Sequence, residues 1–131
     1  MKREEIYNKY NGLCAYTGKP LGNDWQIDHM ISKSSFFYLK LKLSDINNID
    51  NLMPTLRIVN HYKRAYHLEE FRAYMMTFHI RLAKLPKKTN VLRTQKRKEY
   101  MQKVAEAFGI TTEKPFNGVF YFEKIMKNEQ N

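Results

Sequence analysis

The stretch Gln26-Ile27-Asp28-His29-Met30-Ile31, "QIDHMI", decides how the rest of the chain is read. Trp25 and Ile27 alternate with the polar Gln26 and Asp28. That two-residue period predicts a brief strand carrying Asp28 and His29 at its end. Upstream, "TGKPLGND" (17–24) is a turn by its Gly and Pro content. Residues 3–10 read as a short helix, with Glu4 and Glu5 in its first turn, Ile6 and Tyr10 on one side, and Gly12 to end it. Downstream, "FFYLKLKL" (36–43) fits a strand and a helical face equally, and is read as an inserted element of unresolved type.

Further along, "SDINNIDN" (44–51) is a polar turn, and "NLMPT" (51–55) is a second short strand that Pro54 keeps at an edge or an end. "RIVNHYKRA" (57–65) is helical. From Leu68 the apolar residues Phe71, Tyr74, Met75, Phe78, Leu82 and Leu85 recur at three and four. This pattern predicts one amphipathic helix, stopped by Pro86, whose Met and aromatic stripe is core. A basic connector, "KKTNVLRTQKRK" (87–98), leads to a helix capped by Thr94 that runs through Tyr100, Met101, Val104 and Phe108 to Gly109. "NGVFYFEKI" (117–125) reads as a turn into a terminal strand, with Phe116, Phe120, Tyr121 and Phe122 packing as core in preference to stacking on bases.

With 131 residues the chain has room for one domain with a real core. The 43% of hydrophobic residues suits a chain that folds. Lys and Arg number 23 against 13 Asp and Glu, a net charge of +10 that draws in polyanions, nucleic acid first among them. The single cysteine, Cys14, excludes an internal disulfide and a Cys-based zinc cage within one chain, and fits a reducing compartment. No leader-like apolar segment opens the sequence, and no apolar run approaches the roughly 20 residues that span a bilayer. The expectation is a soluble cytoplasmic protein with no membrane association.

Asp28, His29, Asn51 and Asn60 stand out as candidate chemistry. An Asp-His pair alone is weak, but Asn51 opens the second strand, and Asn60 follows nine residues later, three before Lys63. In "IDHMI", "IDNLMPT" and "VNHYKRA", in that order, the chain resembles the HNH endonucleases of phages and bacteria, over residues 13–71. The resemblance implies an α+β fold with a ββα-metal core surrounded by helices. Residues 1–85 would form the nuclease domain with its N-terminal helix, and 86–131 a basic extension packed on it. Many relatives clamp this motif with a structural zinc held by two Cys pairs. Here Cys14 stands with Thr17, Leu56 and Val59 in the other three positions, so no structural zinc is expected.

By resemblance, His29 is the general base. Asp28 and the amide oxygen of Asn60 hold one Mg²⁺ or Mn²⁺, and Asn51 holds the catalytic loop and orients the His29 ring. The implied activity is metal-dependent hydrolysis of DNA to 5′-phosphate and 3′-hydroxyl ends. An inert DNA-binding relative and a ribonuclease are the competing readings. Lys63 matches the family's lysine, in a phosphate contact or a packing role. His61 could touch metal or phosphate from one side, whereas His67 and His79 read as structural.

From Arg72 to Lys98 there are nine Lys or Arg and no carboxylate. The residues expected to meet nucleic acid are Lys33, Lys40, Lys42, Arg57, Lys63, Lys87, Lys88, Arg93, Lys96 and Arg97, with binding that weakens steeply in salt. Sequence specificity and any protein partner or homodimer are not readable.

Overall fold

A computed structural model of the chain describes residues 2–31 and 47–129. The ambiguous element at 36–43, and with it Lys33, Lys40 and Lys42, lies outside the described residues. The elements are α1 (Lys2–Asn8), β1 (Gln26–His29), a 3-10 turn (Ile49–Asn51), β2 (Leu52–Thr55), α2 (Arg57–Lys63), α3 (Leu68–Met76), α4 (Phe78–Ala83), α5 (Leu92–Phe108) and α6 (Tyr121–Glu129). The class is α+β, a two-stranded antiparallel sheet among helices.

Strand, strand and helix follow one another as the sequence predicts. β1 and β2 pair antiparallel, Gln26 with Thr55, Ile27 with Pro54, Asp28 with Met53 and His29 with Leu52. Because side chains alternate along a strand, this register assigns Gln26, Asp28, Met53 and Thr55 to one face and Ile27, Leu52 and Pro54 to the other. Met53 joins the main core, while Leu52 and Ile27 pack with Ile6 and Trp25 in a smaller cluster against α1. Pro54 has no N–H to give, but its carbonyl accepts from Ala15 at 2.9 Å and ties the N-terminal loop to β2. That loop leaves α1 through Gly12 at φ +80°, where a Cβ would meet the Tyr7 hydroxyl at 2.9 Å.

Three expectations are corrected. The single helix from Leu68 is two, because the chain breaks at Thr77 (φ −107°, ψ 5°). The Arg81 guanidinium bonds the Tyr74 carbonyl at 2.7 Å and the Thr77 hydroxyl at 2.6 Å, spanning the break. Thr94 is not the cap of α5, which starts two residues earlier after Val91 and ends as expected on a left-handed Gly109. The expected terminal strand is the helix α6. Its early amides, those of Tyr121 and Phe122, are taken by the carbonyls of Tyr16 and Ala15 at 3.1 and 2.8 Å, and Glu123 accepts from the Phe120 amide at 3.0 Å. The alternating aromatics are core as expected, but they enter it from a loop and a first helical turn.

One core crosses the expected boundary at residue 86. Tyr16, Met53 and Phe71 share it with Met101, Val104, Phe116 and Phe120, and the rings of Phe71 and Phe120 stack at 5.5 Å. Among the described residues, no helix is long and apolar enough to cross a membrane.

Candidate functional site

Asp28 sits near the end of β1 and is 4% exposed. An ionised carboxylate buried this far needs donors. The Tyr16 hydroxyl donates to Oδ2, and the Lys63 ammonium, at the last residue of α2, lies 3.2 Å from Oδ1 and 3.2 Å from Oδ2. Lys63 is wholly buried, and its Nζ also reaches the carbonyls of His29 at 3.0 Å and Tyr66 at 2.6 Å. Burial raises the Asp28 carboxyl against the pull of Lys63, and burial lowers the Lys63 ammonium against the pull of Asp28. The Tyr16 hydroxyl is pushed well up by burial and then by the neighbouring Asp28 charge, so it stays protonated and can donate to the carboxylate. Of the two roles expected for Lys63, a phosphate contact or packing, these contacts fit packing: its ammonium is buried among oxygens of Asp28, His29 and Tyr66.

His29 follows Asp28, and its backbone and ring are held separately. Its carbonyl accepts a hydrogen bond from the Lys63 ammonium, while Nε2 lies 3.2 Å from the Asn47 amide oxygen. An amide oxygen only accepts, so this contact puts the ring proton on Nε2 and the basic lone pair on Nδ1. His29 is the last residue of β1, and its ring is among the charges that pull the Asp28 carboxyl down.

Asn51, 6% exposed, ends the 3-10 turn, whose first turn is capped by the Asn48 side chain on the Asp50 amide at 2.9 Å. The Asn51 carbonyl accepts from Met30 at 2.9 Å. Its side chain accepts from the Ile31 amide at 2.8 Å and donates to the Ile31 carbonyl at 3.1 Å. The segment leaving His29 is thereby held at three points by one residue. Asn51 thus holds the backbone two residues beyond the His29 ring.

Asn60 lies in the middle of α2, its amide donating to the Gln26 side-chain oxygen at 2.7 Å. Gln26 and Asp28 share a face of β1, and α2 brings Asn60 to the first and Lys63, one turn later, to the second. A carboxylate and an amide oxygen from facing elements are donors of the kind a hard divalent cation takes, and both Asp28 oxygens are engaged by Tyr16 and Lys63. Asp28 and Asn60 would hold such an ion. Among the described residues no group of three His, Cys, Asp or Glu side chains comes together.

Sequence reasoning missed Gln26, Tyr16 and Asn47. Gln26 was recoverable from its i, i+2 relation to Asp28, whereas no local signal joins Tyr16 to a carboxylate twelve residues away. Cys14 meets the position opposite it in the motif, the Leu56 amide pointing at its sulfur at 3.5 Å, with Val59 buried in the same core.

The other histidines serve helices. His61 Nδ1 pairs with the Tyr100 hydroxyl at 2.8 Å and joins α2 to α5. His67 caps α3 in a reciprocal pair with Glu70. His79 Nδ1 is buried without a partner among the described residues. Arg57 is exposed beside a cleft of about 460 Å³ that also meets His61, Tyr100 and Lys103. Lys87, Lys88, Arg93, Lys96 and Arg97 are all exposed on the connector and the first turns of α5, apart from the Asp28 cluster in sequence. Comparison of the chain with models of protein families, with curated proteins and with solved structures gives no match.

Proposed function

We propose that this protein is a metal-dependent endonuclease of the HNH kind, hydrolysing DNA phosphodiesters. The observation that carries the reading is the grip of Asn51 on Ile31, which immobilises the turn after an Asp-His pair on a strand that faces the Asn60 helix. A rigid turn is what a positioned base needs, since misplacement by an ångström is enough to lose most of the benefit of orientation.

His29 takes the proton of the attacking water on Nδ1, with Asn47 holding the opposite ring nitrogen. The new P–O bond forms as the P–O3′ bond breaks, and the leaving 3′ oxygen takes a proton from solvent water, giving 5′-phosphate and 3′-hydroxyl ends. Asn51 acts through the backbone, keeping His29 at the scissile bond. Asp28 and Asn60 would hold a divalent ion, Mg²⁺ or Mn²⁺, which would supply charge stabilisation at the phosphate. The exposed cations of the connector, with Arg57, carry the substrate backbone.

A second reading has its own observation. Asp28 is buried and paired with Lys63 and Tyr16, as in a domain that keeps the architecture and binds DNA without cutting it. Supercoiled plasmid incubated with Mg²⁺ or Mn²⁺, against EDTA and the His29→Ala variant, separates the two. Nicking that needs both metal and His29 supports the enzyme; binding with no nicking supports the inert module. A parallel incubation with single-stranded RNA tests for a ribonuclease.

A further inference from the structure

Four oxygens converge on Nζ of Lys63: both carboxylate oxygens of Asp28 at 3.2 Å, the His29 carbonyl at 3.0 Å and the Tyr66 carbonyl at 2.6 Å. Converging carboxylate and carbonyl oxygens are the ligand set of a hard cation, and here the cation is part of the chain. Both side chains are buried, so neither charge is stable in place without the other. A divalent ion using Asp28 would stand next to a fixed ammonium, and like charges a few ångströms apart in a poorly hydrated site repel strongly.

We propose that Lys63 is the resident counter-cation of the Asp28 seat, and that a divalent ion enters only by displacing the ammonium from the carboxylate. The inference rests on the nuclease reading and adds a resting state to it, in which the site is closed by its own lysine. The backbone shows where it would open. Lys63 is the last residue of α2, and Arg64 after it lies at φ +55°, ψ −136°, a conformation disfavoured for a residue with a Cβ. Strain concentrated at the residue next to the ammonium gives the closed arrangement a bond to relax when Lys63 leaves.

The test follows the ammonium directly. In wild-type protein the ¹⁵Nζ signal of Lys63 is recorded as Mg²⁺ is added, and Mn²⁺ binding is measured by electron paramagnetic resonance for wild type and Lys63→Met. Displacement predicts that the Lys63 signal moves in step with metal occupancy. It also predicts that Lys63→Met binds Mn²⁺ roughly tenfold or more tightly, since a neighbouring charge changes a carboxylate's affinity for a cation by that order. Mg²⁺ binding that shifts the amides around Asp28 and Asn60 but leaves Lys63 Nζ unmoved overturns the inference and leaves the nuclease reading intact, and this arm decides the matter even where Lys63→Met does not fold. Failure of Mn²⁺ to bind either protein removes the metal from the nuclease reading itself, and the inference with it.

Discussion

The side-chain amide of Asn51 pairs with the backbone of Ile31 in both directions, accepting at 2.8 Å and donating at 3.1 Å across twenty residues of sequence. A buried amide used this way closes the chain between β1 and β2. Asn51→Ala leaves the Ile31 N–H and C=O without these partners, and the expected loss of stability is about 1–3 kcal/mol. Urea denaturation measures it. Asn51→Asp should be no better, since it keeps the acceptor but turns a negative oxygen toward the Ile31 carbonyl.

Lys63→Ala should destabilise the fold by about 3–5 kcal/mol, because it strands the Asp28 carboxylate in the interior. The combined Asp28→Asn and Lys63→Met variant, with both charges gone, should recover most of that loss. Chemical denaturation of the two single variants and the double one forms a thermodynamic cycle. Additive effects would show that the two groups do not act as a pair.

Arg72 straps α6 to α3, with Nη1 and Nη2 at 2.6 and 2.7 Å from the Glu123 oxygens and Nε at 2.8 Å from Glu69. Burial pushes the Glu123 carboxyl up, but the Arg72 bonds and the Phe120 amide outweigh it and hold the group below its ordinary range. The Arg72 bond likewise lowers Glu69. A carboxyl lowered by folding stabilises above its unfolded pKa, and that stabilisation is lost as pH falls through the lower folded value. Thermal stability should therefore decline below about pH 4.5. Glu123→Gln should be about 1 kcal/mol less stable at neutral pH and decline less steeply in acid, as calorimetry across pH would record.

Replacing Lys96 and Arg97 with Gln should weaken DNA binding in EDTA and flatten its dependence on salt. Each phosphate contact removed lowers the slope of log affinity against log salt by about 0.9. Fluorescence anisotropy over a salt series gives that slope. An unchanged slope would place the nucleic-acid face elsewhere, and replacing Arg57 would then be the next measurement.

Much of the architecture was legible in local pattern. The alternation at Trp25 to Asp28, the turn before Asn51 and the helix after Pro54 each follow from near neighbours, and all three appear in order. Where pattern misled, a distant group intervened. The alternating aromatics at 120–122 look like a strand until the carbonyls of Ala15 and Tyr16 supply partners for the first amides of a helix. The stripe from Leu68 to Leu85 looks continuous until Arg81 folds back on Tyr74 and Thr77.

The candidate site divides the same way. By itself the sequence determined which chemical groups are present, their order, and a surplus of positive charge, because these depend on composition and spacing. Tertiary structure alone decided that Asp28 is buried, that Lys63 neutralises it from thirty-five residues away, and that Asn51 grips the backbone of Ile31. The physical reason is that periodicity is set by residues within a turn or two of one another. The partner of a buried charge is set by whichever group the finished fold brings within about 3 Å, where a hydrogen bond can form.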